Sequence, residues 1–240
     1  MGGDRLKELL ERGLAELGIA PPAGAVDGLV QYGELLLEQN RVMNLTAITQ
    51  PDQVATLHFL DSAALLGCAG LAGASLVDVG TGAGFPGIVL RMLVPDLKLA
   101  LVDSLAKRLD WLEEVCSKLG LAGVTLRHAR AEELALEPNW RDGFDFATAR
   151  AVADLRILTE LCLPYVKVGG RFLAMKAAGC QPEVEAAGRA VSVLGGRLRP
   201  SFRYTIPAAG VERVVVQVEK TVPTPKGYPR RWAKLQKAPL

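Results

Sequence analysis

The chain has 240 residues, 50% of them hydrophobic and 22% charged, with a formal net charge of +2. That length suits one ordinary domain with an appendage, and the composition supports a sizeable core rather than disorder. No apolar run is long enough to cross a bilayer; the best, residues 88–102, is broken by Arg91, Asp96 and Lys98.

The opening MGGDRLKELLERG is charged throughout and holds no signal-peptide apolar stretch, so a cytoplasmic protein is expected. Leu6, Leu9, Leu10, Leu14 and Leu17 recur at helical spacing and stop at Gly18. After Pro21-Pro22, the apolar residues Leu29, Tyr32, Leu35, Leu36 and Leu37 predict a second helix ending near Asn40. Pro51 suits the first turn of a third, which carries Val54, Leu57, Leu60 and Leu65. Residues 1–66 thus read as a small helical extension.

The pattern changes at Ser75. Strands are predicted over 75–79, 97–102, 124–127, 144–148, 171–176 and 214–218, with helical stretches between most of them. Such alternation implies right-handed crossovers and a mainly parallel sheet, an α/β domain over residues 67–220. Gly169-Gly170 and Gly195-Gly196 are turn signals placed just before strands.

The segment LVDVGTGAGFPG carries the most chemistry. Glycines at 80, 82 and 84 allow a sharp turn and a close approach to a ligand. The helix opening near Pro86 aims its first amides at the same crevice. Nucleotide cofactors of two classes fit this much, and a GxGxxG match alone separates nothing. Asp78, two residues before the first glycine, favours a ligand with an ammonium group over one whose pyrophosphate it would repel. S-adenosylmethionine is such a ligand. Asp103 ends the second strand, where a carboxylate accepts hydrogen bonds from ribose hydroxyls, a device common to both classes.

The four cysteines, at 68, 116, 162 and 180, form no CxxC pair, so no metal site is expected and buried, reduced thiols are. From Lys220 to Leu240 six basic residues meet no acid, a charge of +6 against −4 for the rest. The stretch 221–240 is therefore expected as a basic tail for phosphate contacts, packing loosely or ordering on its partner.

DVGTGAGFPGIVL followed by LVDSLAKRLDWLEEV closely resembles the RsmG (GidB) family of bacterial 16S ribosomal RNA guanine-N7 methyltransferases. The likeness continues through residues 40–46, 58–62, 130–132 and Ala149-Arg150-Ala151-Val152, and ends in TPKGYPRR at 224–231. The family implies a Rossmann-like class I SAM-dependent methyltransferase, with a mainly parallel seven-stranded sheet and helices on both faces. S-adenosylmethionine is the implied cofactor. Gly80, Gly82 and Phe85 would line its methionine end, with Asp78 and Gly84 shaping the loop, and Asp103 would take the ribose. Ala131 and Glu132 would meet the adenine. Arg150 would lie beside the methyl group, facing the incoming RNA. Lys107, Arg130 and Lys176 are the implied RNA-facing cations.

Guanine N7 carries a lone pair and no proton, so no acid or base catalyst is expected and catalysis reduces to positioning. His58 and Asp61 share a helical face and are expected to pin the N-terminal helices. Asn44 is expected as a linker residue facing the site. Lys226, Arg230 and Arg231 are expected to bind RNA, with Trp232 beside them as a base-stacking ring and Trp111 in the core. The expected partner is 16S ribosomal RNA or the 30S subunit, with the protein acting as a monomer. A methyltransferase for small molecules, a dehydrogenase and a SAM-independent RNA-binding factor are the competing readings.

Overall fold

The computed structural model describes residues 2–150 and 153–240. Helices α1 (Gly2–Glu16) and α2 (Ala25–Met43) form as the leucine spacing requires, with Leu6, Leu10, Leu14, Leu29, Tyr32 and Leu36 buried. Helix α2 runs past Asn40 and stops at Asn44, whose left-handed backbone (φ 48°) ends the helix. Pro51 does open the next helical run, α3 (Pro51–Val54), but residues Ala55–Leu60 wind as a π-helical turn. Helix α4 (Asp61–Ala63) and a 3-10 turn (Ala64–Gly67) complete the run.

Seven strands make one sheet: β1 (Ser75–Val79), β2 (Lys98–Asp103), β3 (Thr125–His128), β4 (Phe144–Arg150), β5 (Val166–Ala177), β6 (Gly196–Ile206) and β7 (Val211–Lys220). Their order is β3-β2-β1-β4-β5-β7-β6, with β7 antiparallel to both neighbours and the other pairs parallel. The chain winds outward from β1 through β2 to β3, then returns to β4 on the other side. That reversal opens a crevice at the carboxyl ends of β1 and β4.

Helices cover both faces, so strand residues alternate between two cores. Leu76, Leu99 and Leu101 pack with the N-terminal helices, α5 (Gly87–Leu93) and α6 (Ala106–Lys118). Val77, Val79 and Ala147 pack against α7 (Ala131–Leu134), α8 (Leu155–Cys162) and α10 (Gly188–Val193). Burial on two faces is why these strands read as continuous apolar runs. The N-terminal helices therefore share one core with the sheet. Tyr32, fully buried, stacks on Phe59 and donates its hydroxyl to the Ala83 carbonyl in the glycine loop.

The segment beyond residue 220 departs from expectation. It follows α9 (Gln181–Ala186) and the last strands, then ends in α11 (Trp232–Lys237), and it is packed rather than loose. Leu235 is fully buried, and the Arg141 guanidinium donates to the carbonyls of Thr224, Pro225 and Tyr228. Arg230 forks onto Glu160, which has no exposed surface, with Nη2 2.6 Å and Nε 2.8 Å from its two oxygens. Lys220 is also fully buried, donating to Asp142, Thr224 and the carbonyls of Leu163 and Val166. Two of the six cations counted for the tail are thus neutralised inside the protein.

Candidate active site

Strand β1 delivers Asp78 into the fold and then turns. Gly80, Gly82 and Gly84 all have positive φ, at 70°, 59° and 89°. A Cβ on Gly84 would stand 2.5 Å from the Tyr32 hydroxyl and 2.8 Å from Leu112. Gly84 is thus a packing glycine beneath the loop, while Gly80 and Gly82 face the crevice.

Asp78 has no exposed surface. Its Oδ2 accepts from Thr81 Oγ1 (2.8 Å) and from the Gly87 amide (3.0 Å), tying the loop to the first turn of α5. Burial outweighs those bonds and pushes its pKa up to about 6. Its Oδ1 is buried without a partner. Asp78 lines none of the cavities, so the structure gives it the task of tying down the glycine loop rather than the direct ammonium contact that the sequence suggested.

Asp103, at the end of β2, is 3% exposed and accepts from the Gly82 amide (2.9 Å), the Leu105 amide (2.9 Å) and Arg108 (3.3 Å). A carboxylate offers about four lone-pair positions. One is left, and the half-exposed Arg108 can release a second, which is what a ribose diol needs. Beyond Asp103 the cavity runs to Ala131, the first residue of α7, and to Glu132, which accepts from Arg130 Nε at 3.1 Å. Its volume is about 240 Å³.

On the other side of the loop a second cavity reaches Phe85, Thr46, His58 and Arg150. Arg150 lies over the Phe85 ring, 4.9 Å from its centre, and is mostly buried. It donates to the Leu57 carbonyl and Asp61 Oδ2 (3.2 Å each) and to His58 Nδ1 (3.0 Å). His58 and Asp61 do not bond each other; both converge on Arg150. Arginine only donates, so Nδ1 accepts and the proton sits on Nε2, 2.8 Å from Thr46 Oγ1. Burial, reinforced by the Arg150 charge, lowers the His58 pKa to about 3, and the ring is neutral. Thr46 Oγ1 also accepts from the Ile48 amide, leaving its own proton free to face the cavity.

Arg150 and His58 also line a third cavity of about 390 Å³, with Asp61, Met175, Lys176 and Arg213. They are the seam between the two spaces. Lys176 is not free: its ammonium donates to Glu183 (2.6 Å) and the Ala153 carbonyl (2.8 Å). Tyr204 donates to Asp61 Oδ1 at 2.7 Å, and Arg213 stands 3.9 Å from the same oxygen. Asn44 and Lys107 are exposed and line none of these cavities. Lys226 and Arg231 are exposed too, whereas Arg230 is committed to Glu160. Ala151 and Val152 of the Arg150 motif lie outside the described residues. Sequence reasoning gave no role to Thr46, Arg108, Tyr204 or Arg213. Tyr204 and Arg213 meet Asp61 from the far end of the chain, while the Arg108 contact with Asp103 is local and depends on side-chain placement. Trp232 was noticed, but it lines the Asp103 cavity rather than an RNA-facing surface.

Comparisons decide the family. The model of "rRNA small subunit methyltransferase G" matches residues 26–202. The chain belongs to that family. Ribosomal RNA small subunit methyltransferase G of Symbiobacterium thermophilum is 44% identical over the full length of both chains. The enzyme of the same name from Alkaliphilus metalliredigens is 43% identical over 98% of each. Among solved structures, a SAM-dependent O-methyltransferase from Thermotoga maritima aligns with a TM-score of 0.52 at 17% identity, covering 79% of this chain and 73% of that one. The M. jannaschii TYW2 in complex with AdoMet aligns with a TM-score of 0.51 at 17% identity, covering 64% of this chain and 71% of that one. These neighbours establish the class I methyltransferase fold. The chain is a SAM-dependent methyltransferase, and its glycine loop and the carboxylate of Asp103, which both line the crevice, fit that cofactor.

Proposed function

We propose that the chain methylates N7 of a specific guanine in 16S ribosomal RNA, free or within the 30S subunit, in the cytoplasm. The observation that carries this reading is the seam at Arg150, where a cofactor cavity meets a cation-lined cavity with no available base among the described residues. His58 is held neutral, and its Nδ1 is occupied by Arg150. Asp61 is taken by Arg150 and Tyr204. Asp78 is sealed beneath the loop.

Such a site suits an acceptor with no proton to lose. Bound S-adenosylmethionine supplies an electrophilic methyl, and guanine N7 offers an in-plane lone pair to it. The chain's part is to hold the two in line. Gly80, Gly82 and Phe85 would cradle the methionine end, Asp103 the ribose, and Ala131 and Glu132 the adenine. Arg150, locked by its bonds to Leu57, His58 and Asp61, fixes the seam through which the acceptor enters. Arg213, which stands 3.9 Å from Asp61, is the cation best placed to meet a phosphate in the acceptor cavity, since Lys176 is paired with Glu183 and Arg150 with Asp61. Lys107, Lys226 and Arg231 would extend that surface, with Asn44 turning the chain toward it, whereas Arg130, expected to face RNA, is drawn to Glu132 and Trp232 at the cofactor cavity.

The test is incubation with methyl-labelled cofactor and unmodified 16S RNA or 30S particles, then nucleoside analysis. The expected result is label in 7-methylguanosine at one position. Label in another nucleoside, or transfer only to small molecules, refutes the proposal.

A further inference from the structure

The cavity beyond Asp103 has one wall that the nucleotide-binding half of the fold does not supply. Its other lining residues come from the strand ends, the turn into α7 and Leu161 of α8, but Trp232 reaches it from the C-terminal segment. Among the described residues Trp232 is the only aromatic side chain lining that space. The Arg130 guanidinium lies 5.0 Å from the centre of its ring, and the same Arg130 holds Glu132.

The ring is placed there by structure. Two residues before it, Arg230 grips the buried Glu160; three residues after it, Leu235 sits in the core. Both anchors hold α11 against α8, the helix that supplies Leu161. A purine fits the resulting walls. Apolar Val79, Val102 and Leu161 and the Trp232 ring would sandwich its faces, while the Ala131 amide and the Glu132 carboxylate meet its polar edge. Indole stacks on any base, and each such contact is strong.

We propose that Trp232 stacks on the adenine of S-adenosylmethionine, so that the C-terminal segment completes the cofactor site. This rests on the assignment of the Asp103 cavity to the cofactor. The basic residues around Trp232 then lie on the outer side of an element that belongs to the cofactor, and cofactor binding and tail order are linked.

Binding of S-adenosylhomocysteine and of adenosine, measured by calorimetry, tests this on W232A and W232F. The expected result is a loss of about 5- to 150-fold for both ligands in W232A, with W232F retaining most of the affinity. RNA affinity measured without cofactor should stay within twofold. Intrinsic fluorescence gives a second readout if W232A folds poorly. Trp111 is buried in α6, and Trp140 packs on Phe144 and Tyr165, so quenching by S-adenosylhomocysteine should vanish in W232F. Unchanged ligand affinity in W232A, or quenching that persists in W232F, overturns the proposal. Failure of the wild-type protein to bind either ligand overturns the cofactor assignment itself.

Discussion

Replacing Arg230 by Met separates a structural cation from an RNA-binding one. Arg230 and Glu160 form a forked pair with side chains 12% and 0% exposed. The substitution leaves the Glu160 carboxylate buried with only the Arg230 amide, 2.8 Å away, for a partner. Breaking a buried pair from one side costs about 3–5 kcal/mol. For a chain of this size that lowers Tm by roughly 6–20 °C. Because the stranded carboxylate can escape by taking a proton, the loss should be smaller at pH 5 than at pH 8. Removing both charges, in E160M/R230M, should restore most of the stability, since buried pairs are often matched by apolar side chains. Calorimetric melting of the four proteins of this cycle is the assay. A Tm change below 2 °C in R230M, together with weakened RNA binding, would refute the internal role of Arg230.

Gly84→Ala should destabilise the fold and abolish cofactor binding together, because the new Cβ meets Tyr32 and Leu112 and the backbone is left-handed there. Melting and S-adenosylhomocysteine titration check it; a stable, binding variant would show that the loop tolerates a side chain. His58 and Asp78 give opposing pH effects. The depressed His58 pKa means that stability is lost as pH falls from 6.5 toward about 3, while the raised Asp78 pKa means that stability is gained as pH falls from about 6 to 3.8. Relative to wild type, H58Q should therefore gain and D78N lose about 1 kcal/mol per pH unit between pH 6 and 4, read from urea melts. Parallel curves would contradict both shifts. Neutralising the exposed Lys226, Arg231, Lys234 and Lys237 should shrink the log–log salt slope of RNA binding by about 3, from four phosphates lost. An unchanged slope would place the RNA elsewhere.

What could be read from the chain beforehand was what local chemistry decides. Three glycines in alternation after an apolar strand require a turn with positive φ, and positive φ is what they show. The position of Asp103 was legible because it closes an apolar strand, and the structure buries it at the end of β2 against the Gly82 amide. Strand β6 was hidden by Pro200 and by alternating exposed arginines, features of an edge strand whose register slips between Arg199 and Phe202. The π-helical turn at Ala55–Leu60 left no mark in the leucine spacing. Charge counting misjudged the tail for a different reason. Arg230 is neutralised by a glutamate 70 residues earlier, and Lys220 by Asp142, 78 residues earlier, so their burial is a tertiary fact. The grip of His58 and Asp61 on Arg150 is likewise set by packing the π-helical turn and the start of α4 against the end of β4.

The most direct test of the central claim replaces the acceptor atom alone. A 16S RNA fragment transcribed with 7-deazaguanosine keeps its pairing edge and charge but carries carbon where N7 was. The account predicts binding close to that of ordinary RNA and no methyl transfer from labelled S-adenosylmethionine. Label transferred to the deaza RNA as readily as to the ordinary one would contradict it, placing the reaction on another atom.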